Sequence, residues 1–310
     1  MTTQRRFLVL ARTGDKSLHE RWLDDDGPGR SWDLQLNSYA RDPSKAADQD
    51  LPTVFDHGTK WDSIVRHFRA DPGLLERYDY VMLPDDDVLM TTAGIDRLFA
   101  IAVEHALVMA QPALTLESYI SYPILLQTPG FVLRYSTFLE SMACCIRSDY
   151  LRRLLPMFER HYTGWGTDLV WALLMESPAW RAAVVDAVPM THTRPLYTGP
   201  LYSSYAEGIS PQAEIQAFRG AFENFPEAMQ VYGGVLANGR RVRSTEARLR
   251  NAVGLARIAG RSKLPKNGYR MALALAGRAV VTPHFRPKQL IARTGSEMAE
   301  LGLGRRPTQP

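Results

Sequence analysis

The chain has only two cysteines, Cys144 and Cys145, and they are neighbours. Adjacent residues cannot staple distant segments, so a disulfide framework is excluded. The pair reads as small buried residues of a strand. Long apolar runs are also missing, and none approaches the ~18–20 residues of a membrane span. The opening RFLVLAR breaks at Arg12 and Asp15, too soon for the ~7–15-residue apolar core of a signal peptide. A first buried strand and a cytoplasmic location are therefore expected. Neither G-x-x-x-x-G-K-[ST] nor G-x-G-x-x-G occurs, so P-loop and standard dinucleotide readings lack their fingerprints. No internal repeat is found.

What is present is ordinary globular composition. At 310 residues, 45% hydrophobic and 23% charged, the chain suffices for one large domain or a domain with an appendage. Charge is the asymmetric feature. The net charge is +4, yet residues 239–310 hold 16 Lys and Arg against 3 Asp and Glu, which leaves −9 for the rest. An acidic body thus carries a basic tail.

Patterning separates the two parts. RFLVLAR (6–12), WDLQLNSY (32–39), YDYVMLP (78–84), ALVMAQPAL (106–114), SMACCIRS (141–148) and AAVVDAVPMTHTRP (182–195) read as strands or strand-to-loop segments. Helical spacing appears in 19–30 before a Gly-Pro turn, in 60–68, 91–105 and 166–175, and in 149–161 despite Pro156. Segment 115–138 has weak periodicity and many aromatics, which suits a long loop over a site. Alternating strands and helices predict an α/β domain over 1–200. Residues 201–310 read as a helical, basic C-terminal extension.

The chemistry concentrates where strand 78–84 stops on Asp85-Asp86-Asp87. Ligands of open α/β sheets bind beyond the carboxyl ends of strands, and three adjacent carboxylates repel one another unless positive charge sits among them. In an extended segment Asp85 and Asp87 share a side and Asp86 points away. Two such carboxylates are hard oxygen ligands suited to Mg²⁺ or Mn²⁺, with phosphates and water completing the shell. A solvated acidic turn is the bland alternative. In GWGTDLVW, Gly164 and Gly166 admit close backbone approach, Trp165 offers a stacking face for a sugar ring, and Asp168 is either a helix cap or a general base. Glu140 is a second candidate base. His192 stands after a late strand, as a metal ligand or a structural histidine. Ala11, Arg12 and Tyr39 to Asp42 lie at the ends of the first two strands, where a base and ribose would rest. Arg12 or Lys60 is placed to meet phosphates, although for any single one a surface charge is the plainer reading.

Several stretches taken in order resemble the family called domain of unknown function 707, a glycosyltransferase-like group, and the acidic segment resembles the D-x-D of GT-A glycosyltransferases. The matching residues are Thr59-Lys60-Trp61, Tyr78-Asp79-Tyr80 with Asp85-Asp86-Asp87, Ala110-Gln111-Pro112-Ala113-Leu114, Trp165-Gly166-Thr167-Asp168, Val184-Val185-Asp186 and Thr191-His192. They span 59–195. Pro84 and Asp86 stand where that family usually has W and E, and 115–138 diverges. The resemblance implies a GT-A-like mixed, mostly parallel sheet flanked by helices. It implies a metal-dependent transfer of sugar from a nucleotide-sugar, a UDP-sugar foremost, to a hydroxyl of a glycan or lipid-linked acceptor, with inversion. Asp85, Asp87 and His192 would hold Mn²⁺ or Mg²⁺, and Asp85, Asp86, Trp165, Gly166, Lys60, Arg12, Ala11 and Tyr39 would surround the donor. Asp168 would be the base. Other readings of paired acids are a nucleotidyltransferase, a metal phosphohydrolase, or a non-catalytic glycan- or membrane-binding protein on the same scaffold. The basic tail is a solvated helical face, an anionic-lipid surface peripheral to the inner face of a membrane, or, with few aromatics and no motif, a poor nucleic-acid site.

Overall fold

The computed structural model describes residues 5–23, 29–161, 163–195, 198 and 210–305. The Gly-Pro turn at 27–28 lies outside them. In chain order the elements are β1 (Phe7–Thr13), β2 (Trp32–Ser38), β3 (Val54–Phe55), α1 (Lys60–Ala70), α2 (Leu74–Arg77), β4 (Tyr80–Pro84), β5 (Val88–Leu89), α3 (Thr92–Glu104), β6 (Met109–Leu114), β7 (Phe131–Ser136), β8 (Ala143–Arg147), α4 (Ser148–Arg160), α5 (Thr167–Val170), β9 (Ala182–His192), α6 (Pro211–Ala221), β10 (Val231–Leu236), β11 (Arg241–Arg243), α7 (Ser244–Ile258) and α8 (Pro265–Val281).

The sheet runs β11-β10-β7-β9-β6-β8-β4-β1-β2-β3, with β5 joined to β9 off this path. From the pairings, seven of its ten ordered strands point one way and β7, β8 and β11 are reversed. This is a mixed, mostly parallel α/β sheet flanked by helices, as expected from the sequence. Every residue of β1 and β4 is buried, as strands covered on both faces require. Helix α3 packs Phe99 flat on Phe7 of β1 at 4.6 Å. Helices α1 and α4 join through Trp61 and Phe158, 4.2 Å apart, with Trp171 edge-on. Pro156 is accommodated inside α4. Cys144 and Cys145 are buried in β8 with free thiols.

Three local expectations change. Segment 115–138 is not one loop, because 131–136 forms β7 and the sheet continues through it. The helix expected over 166–175 shortens to α5 and a single 3₁₀ turn, Trp171–Leu173. The chain beyond 200 is not wholly helical: β10 and β11 add two strands to the sheet edge. Short strands of Val and Gly at the edge carry too little periodicity to distinguish them from loops.

Strand β9 slips register between its pairings with Pro112 and Ala113, and Asp186 falls in the excess residues. Asp186 lies within the strand, and its side chain is buried. Its two oxygens meet Nε and a terminal nitrogen of Arg134 at 2.8 and 2.9 Å, and one also accepts from the Thr128 N–H at 2.7 Å. Arg134, fully buried, gives two further N–H groups to the carbonyls of Ile124 and Leu126 at 2.8 Å. One buried ion pair thus pins the 124–128 segment to the sheet. Removing one member leaves the other charged and unpaired, which costs about 3–5 kcal/mol. Asp186→Ala is expected to lower unfolding free energy by that amount in urea titration. A loss under ~1 kcal/mol would contradict the assigned role.

Candidate active site

The acids after β4 do not continue as a strand. The chain turns through 85–87 and enters β5. Although β5 has two residues, it pairs antiparallel with the end of β9, Val88 opposite His192 and Leu89 opposite Thr191. The N–H and the hydroxyl of Thr193 both donate to the Asp87 carbonyl, at 3.0 and 2.8 Å. This ladder sets His192 Nε2 3.4 Å from Asp87 Oδ2. The other ring nitrogen, Nδ1, donates to the Tyr119 carbonyl at 2.7 Å. Burial pulls the His192 pKa down, but the hydrogen bond and charge of Asp87 outweigh it and bring the value up to about 9.

The segment 85–87 is a turn and not a continued strand, yet the charges of Asp85 and Asp87 still act on each other. Each acid meets its own partners. Asp85 Oδ1 accepts from Lys60 Nζ at 2.7 Å. Asp86 accepts from the Gly14 N–H and the Tyr39 hydroxyl, both at 2.8 Å, and lies 3.2 Å from Arg194. Asp87 faces His192 and, at 3.5 Å, the same Arg194 nitrogen. The positive charge among the acids therefore comes from Lys60, Arg194 and His192. Arg194 is the residue that sequence reasoning passed over. Its signal was its place two residues after the candidate histidine.

The residues expected around a nucleotide are mostly committed within the protein. Ala11 is fully buried. Arg12 bonds the Asn37 carbonyl and side chain and the Gly58 carbonyl, and its guanidinium lies over the Tyr39 ring at 4.9 Å. Burial lowers its pKa to about 10, which leaves it charged. Lys60 uses its ammonium on Asp85 and on the carbonyls of Leu83 and Ser141, at 3.0 and 2.7 Å. Three donors thus have three acceptors. Asp42 caps the short turn after β2 by accepting from Ser44. Arg12 and Lys60 are braces of this crevice, not free phosphate-binding cations, because carbonyls ending neighbouring strands claim their N–H groups first.

Trp165 is half-buried between two glycines with φ of 71° and 92°. A Cβ on Gly164 would sit 1.9 Å from the Trp61 indole nitrogen, and one on Gly166 would sit 2.7 Å from Phe218. Helix α6 braces the same corner, since Glu214 accepts from the N–H and hydroxyl of Thr163. The corner delivers Asp168 to the first turn of α5. Burial raises the Asp168 carboxyl to about 7 against the backbone N–H groups at the helix start. Glu140, buried beside it, is raised to about 8 by burial and by the charges of Asp168 and Asp85, with His192 opposing. Its N–H donates to Gln111 Oε1 at 2.6 Å, and its Oε2 has no hydrogen-bond partner. Turn, late histidine and tryptophan-glycine corner are thereby one electrostatic site.

Among the described residues, no group of three His, Cys, Asp or Glu side chains is arranged to hold a metal ion. Asp85, Asp87 and His192 therefore do not make the three-ligand set expected, because Lys60 has taken Asp85. A smaller set does fit. Asp87 Oδ1 is buried without a hydrogen-bond partner, and one carboxylate oxygen with His192 Nε2, once the metal displaces the proton that Asp87 stabilises there, suits Mn²⁺ or Mg²⁺ whose remaining ligands are phosphate and water.

The raised Glu140 pKa has a consequence for stability. The folded chain keeps this proton between the ordinary value of 4.5 and about 8, where the unfolded chain has lost it. Its contribution to stability therefore falls as pH rises through that window and is absent above it. Glu140→Gln is expected to raise the melting temperature relative to the parent at pH 9 and to leave it nearly unchanged at pH 4. An equal shift at both pH values would show that the carboxyl is not held neutral.

No protein-family model matches the chain, and no curated protein matches it in sequence. Among solved structures it is similar to residues 1–349 of TarS from S. aureus in complex with UDP-GlcNAc, at 12% identity and a TM-score of 0.46, over 89% of this chain and 73% of that one. The same TarS fragment in another crystal structure gives 12%, a TM-score of 0.40, and 94% and 97% coverage. CMP:2-keto-3-deoxy-manno-octonic acid synthetase complexed with CTP gives 11% and a TM-score of 0.29, over 50% and 78%. At this level of likeness the chemistry of the site rests on its own geometry.

Proposed function

We propose that the chain is a glycosyltransferase that moves a sugar from a nucleoside-diphosphate donor, a UDP-sugar foremost, to an acceptor hydroxyl of a glycan or lipid-linked glycan. The observation that carries this reading is the convergence at strand carboxyl ends of a cation-rich acidic turn and a separate raised carboxyl. In this reading Asp87 and Arg194 would bracket a diphosphate, and Asp168, whose charge together with those of Asp85 and His192 acts on Glu140, would face the acceptor. Resemblance to the domain of unknown function 707 group supports the same reading.

In this scheme Asp168 accepts the proton of the acceptor hydroxyl while that oxygen bonds to the anomeric carbon. The carbon–diphosphate bond breaks on the opposite face, which inverts the centre. The leaving diphosphate keeps the bonding pair, and the Arg194 guanidinium meets its charge through charge-assisted hydrogen bonds. When bound by Asp87 and His192, Mn²⁺ or Mg²⁺ supplies further positive charge at that leaving group. Asp86 and Tyr39 position Arg194, and Lys60 positions Asp85. The Trp165 ring presents its face to the sugar. Glu140, neutral up to about pH 8, donates a hydrogen bond toward the acceptor side.

A base works ionised, so turnover should rise with pH through about 7, the Asp168 value. Asp168→Asn is expected to lower kcat about 10²–10⁴-fold and to leave UDP binding by calorimetry unchanged. Arg194→Ala is expected to weaken UDP binding about tenfold or more, the worth of a charge-assisted hydrogen bond. Calorimetry with Mn²⁺ alone should lose its signal in Asp87→Ala. Sugar-nucleotide turnover surviving intact in Asp168→Asn would refute the base assignment. Failure of every nucleotide diphosphate to raise the melting temperature, with or without Mn²⁺, would refute the donor class.

A further inference from the structure

Helix α8 is built inside out. Its buried positions are Gly268, Ala272, Leu275 and Ala279, and Gly268 sits directly on Ala259. Leu275 apart, large apolar side chains on its other side face water: Leu273 is 74% exposed, Val280 78% and Val281 79%. An ordinary surface helix does the reverse. The neighbouring helix α7 repeats the pattern, with Leu249 and Val253 half-exposed while Ala247, Ala252 and Leu255 are buried. The two helices pack on each other, and the Tyr269 hydroxyl at the start of α8 lies beside Gly260 just beyond α7. An apolar surface of this extent marks an interaction site.

Charge identifies what the surface meets. From Ala247 to Ser296 the chain has 11 Lys and Arg and no Asp or Glu. Glu246, the acid nearest to this run, is paired with Arg240 and Arg250. Arg257, Lys266 and Arg270 are exposed on the same faces, and among the described residues none of the three is in a recorded ion pair. On α8, Lys266, Arg270, Leu273, Gly277 and Val280 follow one another at three- and four-residue steps, so basic and apolar groups lie on one stripe. Two copies of this chain meeting here would oppose like charges, whereas an anionic surface neutralises them. No helix among the described residues is long and apolar enough to cross a membrane.

We propose that the outer face of α7 and α8 docks on an anionic lipid bilayer. The pair lies in the interface plane with Leu249, Val253, Leu273, Val280 and Val281 among the acyl-chain ends and the arginines and lysines at the headgroups, the mode of interfacial amphipathic helices. The face also adjoins the candidate active site: Lys263, in the α7–α8 connection, lies 4.3 Å over the Tyr119 ring, and the Tyr119 carbonyl holds His192. Docking would therefore bring the Lys263–Tyr119 contact, one residue pair from His192, near the lipid surface.

The test is co-sedimentation of the full chain with vesicles of phosphatidylcholine alone and of equal parts phosphatidylcholine and phosphatidylglycerol, at low and high salt. Binding is expected only to the anionic vesicles and is expected to weaken with salt. The doubly substituted Leu273→Ser, Val281→Ser chain should bind at least tenfold more weakly, and so should Arg257→Gln with Lys266→Gln and Arg270→Gln. All five positions are exposed, so the melting temperature should hold, and a matching melt confirms that folding is not the cause. Absence of anionic-vesicle binding would overturn the proposal. So would unchanged binding in the serine variant, or a dimer in light scattering that Leu273→Ser dissociates.

Discussion

The site depends on one short antiparallel contact. Two residues of β5 pair with the end of β9, and without that ladder Asp87 and His192, 105 positions apart, would have no reason to meet. The contact is buttressed from both sides. Thr193 closes on the Asp87 carbonyl, and the N–H of Leu18 closes on that of Asp86 at 2.7 Å. Backbone groups at a strand end that lies near a crevice must find partners. Here finding them sets the direction of three carboxylates.

That direction explains how three adjacent acids coexist. Each is given compensating contacts: Lys60 for Asp85, Gly14 and Tyr39 for Asp86, His192 for Asp87, and Arg194 shared between Asp86 and Asp87. The arrangement is preorganised, since the cations are themselves fixed by carbonyls and neighbouring acids. Among the described residues, Glu140 and Asp168 have no ion-pair partner of this kind, and His192 only partly opposes the rise of Glu140. Glu140 and Asp168 are raised because burial is not balanced by a partner of opposite charge. Asp87, which His192 and Arg194 hold below the usual carboxylate range against the effect of burial, thus differs from Glu140 and Asp168, which burial raises toward neutrality. Such a division of labour is what acid–base chemistry needs.

The C-terminal third is built into this framework. Arg248, fully buried, donates to the Val231 carbonyl of β10 at 2.9 Å and to the carbonyls of Arg278 and Thr282 at the end of α8. A cation at a helix carboxyl end is favourable through the helix dipole, and here it also ties α7 to the sheet edge and to α8. Burial lowers its pKa to about 10, so it remains charged. Helix α6 in turn backs the tryptophan-glycine corner through Glu214 and Phe218. Residues that read as an appendage hold both the far edge of the sheet and one wall of the crevice.

The amino-acid sequence alone determined what local periodicity and residue type carry. It showed the buried strands around 6–12, 32–39 and 78–84, the helices at 60–68, 91–105 and 149–161, the concentration of acids at a strand end, and the glycine-flanked Trp165. These are properties of a few consecutive side chains, which is why they could be read. The tertiary structure alone decided that the acids form a turn, that Lys60 and Arg12 are spent on carbonyls, that Arg194 reaches Asp86 and Asp87, that β7, β10 and β11 extend the sheet, and that α8 faces its large apolar residues outward. Each of these rests on a partner tens to more than a hundred residues away. No periodicity of consecutive residues records which distant N–H or carbonyl will claim a side chain, and in this protein those distant claims set the chemistry of the site.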